Sequence, residues 1–379
     1  MYITILAILG HMVLAGVRIT TSLYALSLHA SPAVVGSLVA FTSLLPMFLA
    51  VRAGRWQDRV GLALPLRLGL ACLIAGSSIV VLLNQLWVLY VAATLVGVGF
   101  MMLHVASQNM VGVLSAPEKR AANFSWLALG FSTSGFLSPV ISGVIIDHFG
   151  HHAAYITFCA IAVLSMALIQ FSNFSDVPRA QVAQNKSLPG QQSFLDLFWH
   201  DKPLRHIYFI GILLASSWDL FTFVMPIYGT SHGFSASLIG FILGCFSAAT
   251  FFIRFCIPLL TRYLAEWRML LLALLITCLC FAVLPWLHSA WSLMALAFVL
   301  GIGLGASQPN ILNLLHQAAP PARAAEAVGI RVTISNASQV VFPLAFGVVG
   351  ASMGLLPVFL AMSAVVASGV PLVWRKAFH

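Results

Sequence analysis

Along this chain apolar residues come in long blocks, parted by short polar breaks. Blocks of about 20 residues cross a bilayer as helices, because lipid offers no partner for backbone N–H and C=O groups. The pattern predicts twelve helices, near 3–28, 33–52, 65–83, 87–112, 121–146, 153–172, 205–229, 236–257, 268–286, 291–315, 325–350 and 355–374. The first block is too long for a secretory signal and lacks a basic leader, so it is expected to remain as a helix.

The Lys and Arg residues sort by connection. One set holds Arg52, Arg55, Arg59 and Arg67; Lys119 and Arg120; Arg179, Lys186, Lys202 and Arg205; Arg254, Arg262 and Arg268; Arg323 and Arg331; Arg375 and Lys376. The alternating connections hold none, and the remaining basic residue is Arg18, inside the first block. By the positive-inside rule the basic side is cytoplasmic, which places both termini there. The expected location is a bacterial inner membrane, with lipid as the surroundings.

Composition agrees. The chain is 61% hydrophobic and 7% charged, with mean hydropathy +1.01. A soluble domain is about a quarter charged. The net charge of +9 follows from topology, and no nucleic-acid partner is expected. The six cysteines all fall in apolar blocks without metal-ligand spacing, so they read as small core side chains.

The longest polar stretch, 173–204, is expected to be a cytoplasmic linker between an N-terminal six-helix bundle, 1–172, and a C-terminal one, 205–379. Residues 194–199 are either an amphipathic piece on the membrane surface or simply solvated. Shifting the chain by 204 positions aligns Ser31 with Ser235, Gly36 with Gly240, Trp87 with Trp291, Gly97 with Gly301, Asn109 with Asn313, Pro139 with Pro343 and Gly143 with Gly347. The halves are therefore parallel repeats. Such transporters place substrate near the midplane between repeats and rock one half against the other.

After the second block stands "AGRWQDRVG". Its Gly54, Asp58, Arg59 and Gly61 fit G-x-x-x-D-R-x-G, and the chain resembles the major facilitator superfamily, in particular its bacterial drug and metabolite exporters. The resemblance covers the whole chain and implies an all-α membrane protein, twelve helices in two pseudo-symmetric six-helix bundles. It also implies that Gly54 permits close helix approach, and that Asp58 helps close the cytoplasmic side at a helix N-terminus, with Arg120 a plausible partner. The basic pair usual after the second glycine is Leu62-Ala63 here. The second-half copy has Pro258 and Arg262 at the places of Gly54 and Asp58, so the lock is expected to be asymmetric. The fifth block carries Ser134, Ser138, Pro139, Ser142 and Gly143, which resemble the family's antiporter motif with serine at three glycine places. Many proton antiporters of the family carry an intramembrane Arg and Gln just before the place of Gly97 in the fourth block, where Ala93 and Val96 stand here.

Ionisable groups within a span are functional candidates. Arg18 and Asp219 stand in repeat-equivalent helices, and subtracting 204 puts Asp219 at position 15, about one turn from Arg18. They are expected to face each other across the central site. Arg18 then holds an anionic substrate group, or pairs with Asp219 until protonation parts them, or forms a permanent structural pair. His11, His104, Gln108, Gln308, Asn109 and Asn313 are candidate substrate or proton contacts, with interhelical hydrogen bonding as the alternative. Arg254 is expected to snorkel to the interface, and Gln339 to serve packing or a gate. The outer cluster Asp147, His148, His151 and His152 is expected to be a solvated loop rather than a metal site.

The chain shows no nucleophile–base pair or phosphate loop, so an enzyme is not expected. The expected activity is secondary active transport by alternating access: proton-coupled efflux of small organic molecules or drugs by antiport. The alternative is proton-coupled symport or import of organic anions, with Arg18 as carboxylate anchor, and a sensor or scaffold is more remote. No cofactor is expected, the energy coming from a proton gradient, and the chain is expected to be a monomer.

Overall fold

The computed structural model describes residues 2–61, 63–114, 117–170, 202–319 and 324–378. Helices α1 to α4 cover Tyr2–Ser27, Pro32–Val60, Ala63–Leu82 and Leu86–Leu114. One helical run, Pro117–Gln170, bends at Gly150, which has a φ of 83°. It is far too long to cross a bilayer once at about 1.5 Å per residue. We count it as α5 (117–149) and α6 (151–170). Then come α7 (Lys202–Ser231), α8 (Ala236–Leu260), α9 (Glu266–Val283), α10 (Ala290–Ala318) and α11 (Ala324–Met353). The last span is split into α12 (Leu355–Ala367) and α13 (Val370–Phe378).

The apolar pattern located all twelve spans but set several ends short. Helix α2 runs to Val60, α4 to Leu114 and α8 to Leu260. The α2 extension, 53–60, is polar and lies at the basic end, where helix geometry outlasts the apolar block; the additions to α4 and α8 are short and apolar. The linker expected over 173–204 lies almost wholly outside the described residues, as do residues 194–199.

Helix ends repeat as the sequence does. Ser31 and Ser235 both cap their helices, accepting from the backbone N–H of Val34 and Leu238. The halves meet along α5 against α8 and α2 against α11, with a lighter contact of α1 and α7. Both large seams lie toward the end opposite the basic connections. There a Cβ on Gly36 would come within 2.2 Å of the Pro343 carbonyl oxygen, and one on Gly240 within 2.3 Å of the Pro139 carbonyl oxygen. Gly143 against Ala236 and Gly347 against Pro32 form a second repeat-related pair. Without glycine these backbones could not approach so closely. The same holds inside each half, where Gly97 meets the Thr42 carbonyl and Gly301 that of Phe246.

Helix α5 lies between α1 and α8 and shows each a different stripe. Ser134, Ser138 and Ser142 are fully buried. Ser142 donates to the Gly16 carbonyl at 3.1 Å and Ser134 bonds His11, both on α1. One position on, Gly135, Pro139 and Gly143 face α8. The motif-like segment thus joins a hydrogen-bonded face to a bare backbone face.

Candidate functional site

A cavity of about 440 Å³ lies between the halves at mid-depth, within the range of small-molecule sites. Helix α1 presents His11, Arg18 and Ser22, and α8 presents Leu243, Ser247, Thr250 and Arg254. Both sets follow helical spacing, so each forms one stripe. Helix α4 adds Phe100 and His104, α5 adds Phe131 and Ser132, and α7 adds Trp218 and Thr222. Gln308 of α10 and Gln339 of α11 complete the polar groups.

The four basic side chains form one electrostatic group, since His11 is within Coulombic range of His104, Arg254 and Arg18. The His11 ring bonds the Ser134 hydroxyl at 2.5 Å and packs on Phe100 and Phe131. His104 packs on the same two rings. Gln108 bonds His104 Nε2 at 2.9 Å from outside the cavity lining, which makes it a support for His104 rather than a wall residue. The Nδ1 of His104 is buried without a hydrogen-bond partner.

Arg18 lines the cavity, but Asp219 does not. Asp219 is buried behind it, within electrostatic range of the guanidinium. Among the described residues the two make no direct ion pair. The expected face-to-face arrangement is corrected by rotation: on α7 it is Trp218 and Thr222 that point inward, and Asp219 is turned about 100° away. Asn313 is also corrected. It sits at the basic end of α10 and donates to Glu266 Oε1 at 2.7 Å, joined by Gln317 at 3.3 Å. The side chains of Asn109, Asp58 and Arg120 lie outside the described residues.

Arg254 does not snorkel to the interface. Its Nη1 donates to Ser132 Oγ at 2.8 Å across the seam, and its Nη2 to Gln308 Oε1 at 3.3 Å. The spacing of Leu243, Ser247, Thr250 and Arg254 on one stripe was the available sequence signal. Gln339 accepts from Ser43 at 3.1 Å, a second polar link between halves.

In the loop motif, Gly61 ends α2 with φ 85°, and its N–H bonds the Gln57 carbonyl, a conformation that requires glycine. Arg59 is exposed. Gly54 contradicts the expected close approach, because the nearest atom to an added Cβ is Val105 Cγ1 at 3.8 Å. The close contact is made by Gln57, fully buried, which donates to the Met102 carbonyl at 3.1 Å and ties α2 to α4.

At the opposite end the residues of the expected solvated cluster have separate partners. Asp147 accepts from the backbone N–H of Ala236 at 2.9 Å and of Ser237 at 2.8 Å. His148 bonds the Val144 carbonyl, His151 stacks on Tyr24, and His152 bonds Asn84. Among the described residues no group of three or more His, Cys, Asp or Glu is placed to hold a metal ion.

A family model described as Major Facilitator Superfamily matches residues 3–343 and 258–377. The chain is similar to a tetracycline resistance protein, class D, of Salmonella ordonez, at 24% identity over 323 residues, covering 82% of this chain and 78% of that one. It is similar to multidrug resistance protein 1 of Bacillus subtilis (strain 168) at 22% identity over 302 residues, covering 77% and 74%. Among solved structures, a POT family transporter in complex with a thioalcohol-conjugated peptide superposes with TM-score 0.80 at 14% identity, over 100% of this chain and 96% of that one. The nucleoside transporter NupG superposes with TM-score 0.81 at 12% identity, over 100% and 99%. At such identities these structures bear on the fold alone.

Proposed function

The chain belongs to the Major Facilitator Superfamily, a transporter rather than an enzyme, and from that premise we propose that it carries small organic molecules across a bacterial inner membrane, coupled to protons, by alternating access. The observation that carries the coupling is Asp219, a carboxyl buried behind Arg18 within electrostatic range but without direct contact. Proton occupancy of such a carboxyl is set by the balance between its apolar surroundings and its distance from the guanidinium. Small movements of α7 against α1 change that balance and so load or unload a proton.

In this reading the termini and the basic connections are cytoplasmic, and the halves, 1–172 and 205–379, are joined by the linker 173–204. The glycine seams and the Asp147 cap close the outer end, so the state described is the one shut to the outside. The relatives named for tetracycline and multidrug resistance favour export over import in this reading.

A second reading, co-transport of an organic anion with a proton, is favoured by one observation. Two arginines and two histidines line the cavity, and among the described residues no carboxylate does. The test is transport in proteoliposomes with an imposed pH gradient. Substrate-driven proton movement in the wild type, lost in Asp219→Asn, supports the coupling role. Unchanged coupling in that variant removes Asp219 from the mechanism.

A further inference from the structure

The cavity's charges do not balance. Arg18 has Asp219 in electrostatic range. Arg254 has no such partner among the described residues. Its two hydrogen-bond partners, the Ser132 hydroxyl and the Gln308 amide, are neutral, so they orient the guanidinium without cancelling its charge. Its Nε is buried with no partner at all. A guanidinium has five N–H donors in a fixed fork, suited to a carboxylate. A charge at membrane depth is costly when no opposite charge accompanies it. Here the missing counter-ion is external: an incoming anion.

The rest of the wall says what the anion is attached to. Trp218 stands beside Arg254, its ring centroid 6.0 Å from the guanidinium carbon. Phe100, Phe131 and Phe246 continue an aromatic surface round the cavity. Such a surface favours flat rings.

We infer that the cavity takes organic anions bearing a ring system, with the acidic group held by Arg254 and the rings lodged against Trp218 and Phe131. The inference rests on the transporter reading above, though not on its direction. Arg254 bonds α5 of one half and α10 of the other, so an anion placed there also engages both halves.

The test is equilibrium binding to the full chain in nanodiscs, read by calorimetry. Three probes of one shape and different charge are used: naphthalene-2-carboxylate, naphthalene-2-carboxamide and 2-naphthylmethylamine. The carboxylate is expected to bind about tenfold more tightly than the other two, the scale of a charge-assisted contact. Arg254→Gln erases the preference, and Arg254→Lys keeps part of it. Gln308→Glu erases it too, by placing a carboxylate against Arg254 while conserving side-chain size. Equal binding of all three probes to the wild type, no binding of any, or a preference surviving either Arg254→Gln or Gln308→Glu overturns the inference. Failure of the transporter reading would look different: the probes bind, and none moves across proteoliposomes.

Discussion

Asp147 of the first half receives two backbone hydrogen bonds from the second, from Ala236 at 2.9 Å and Ser237 at 2.8 Å. A carboxylate at the N-terminus of α8 satisfies free N–H groups and meets the positive end of the helix dipole. Because the two partners are on different halves, this cap stabilises closure of that end rather than one helix alone.

Asp147→Ala is therefore expected to favour opening of this end by roughly 1–2 kcal/mol, about the value of a helix cap. Spin labels at Asn84 and His288, on a background with the six cysteines replaced, report the separation by electron–electron resonance. The long-distance population grows in the variant. An unchanged distance distribution would show that the cap does not hold the end closed.

Two glycines should respond oppositely to the same added methyl. Gly36→Ala puts a Cβ against the Pro343 carbonyl, where it cannot fit without moving α2 from α11. The cost of such overpacking is about 1–3 kcal/mol. Gly54→Ala meets only Val105 Cγ1 at 3.8 Å and should leave thermal stability and transport close to wild type. Thermal unfolding of both variants in detergent checks the contrast, and equal losses would refute it.

Asn313 and Gln317 converge on Glu266 at the basic end of α9 and α10, well away from the cavity. Glu266→Gln should lower stability by about 0.5–1.5 kcal/mol, the net value of a hydrogen bond. Probe affinity should stay the same. A selective loss of binding without loss of stability would return Asn313 to the site.

The sign of proton coupling separates the two functional readings. An anion at Arg254 and a proton at Asp219 attract each other, so each raises the affinity of the other by the same factor. If the substrate is anionic, binding takes up protons from a weak buffer, and flux runs with the proton. Release of protons on binding would instead support exchange.

Sequence and structure agree best where one property decides position. Apolar block length placed twelve spans, and the 204-residue repeat anticipated Gly36 with Gly240 and Pro139 with Pro343, which meet crosswise in the seams. Azimuth around a helix was harder to read. Asp219 had the right depth, but its neighbour Trp218 faces the cavity. Asn313 followed from its repeat mate, yet five residues beyond Gln308 it points elsewhere. The snorkelling expected of Arg254 rests on its distance from a helix end at 257, and α8 runs on to Leu260. The Asp147 contact joins residues 89 apart on different halves, and nothing local to either signals it.

The paired glycine contacts have a mechanical consequence. Gly36 on the Pro343 carbonyl and Gly240 on the Pro139 carbonyl are twin bearings, set at matching heights on either side of the molecule. Neither carries a side chain that must be unhooked before the halves turn. Motion about such a pair is shared evenly, so neither half serves as a fixed frame. Among the described residues, the polar links that resist rotation are a few latches, Asp147 on Ala236 and Ser237, Ser43 on Gln339 and Arg254 on Ser132. Of these, the Arg254 and Gln339 latches lie on the cavity wall, where cargo can reach them and change their grip.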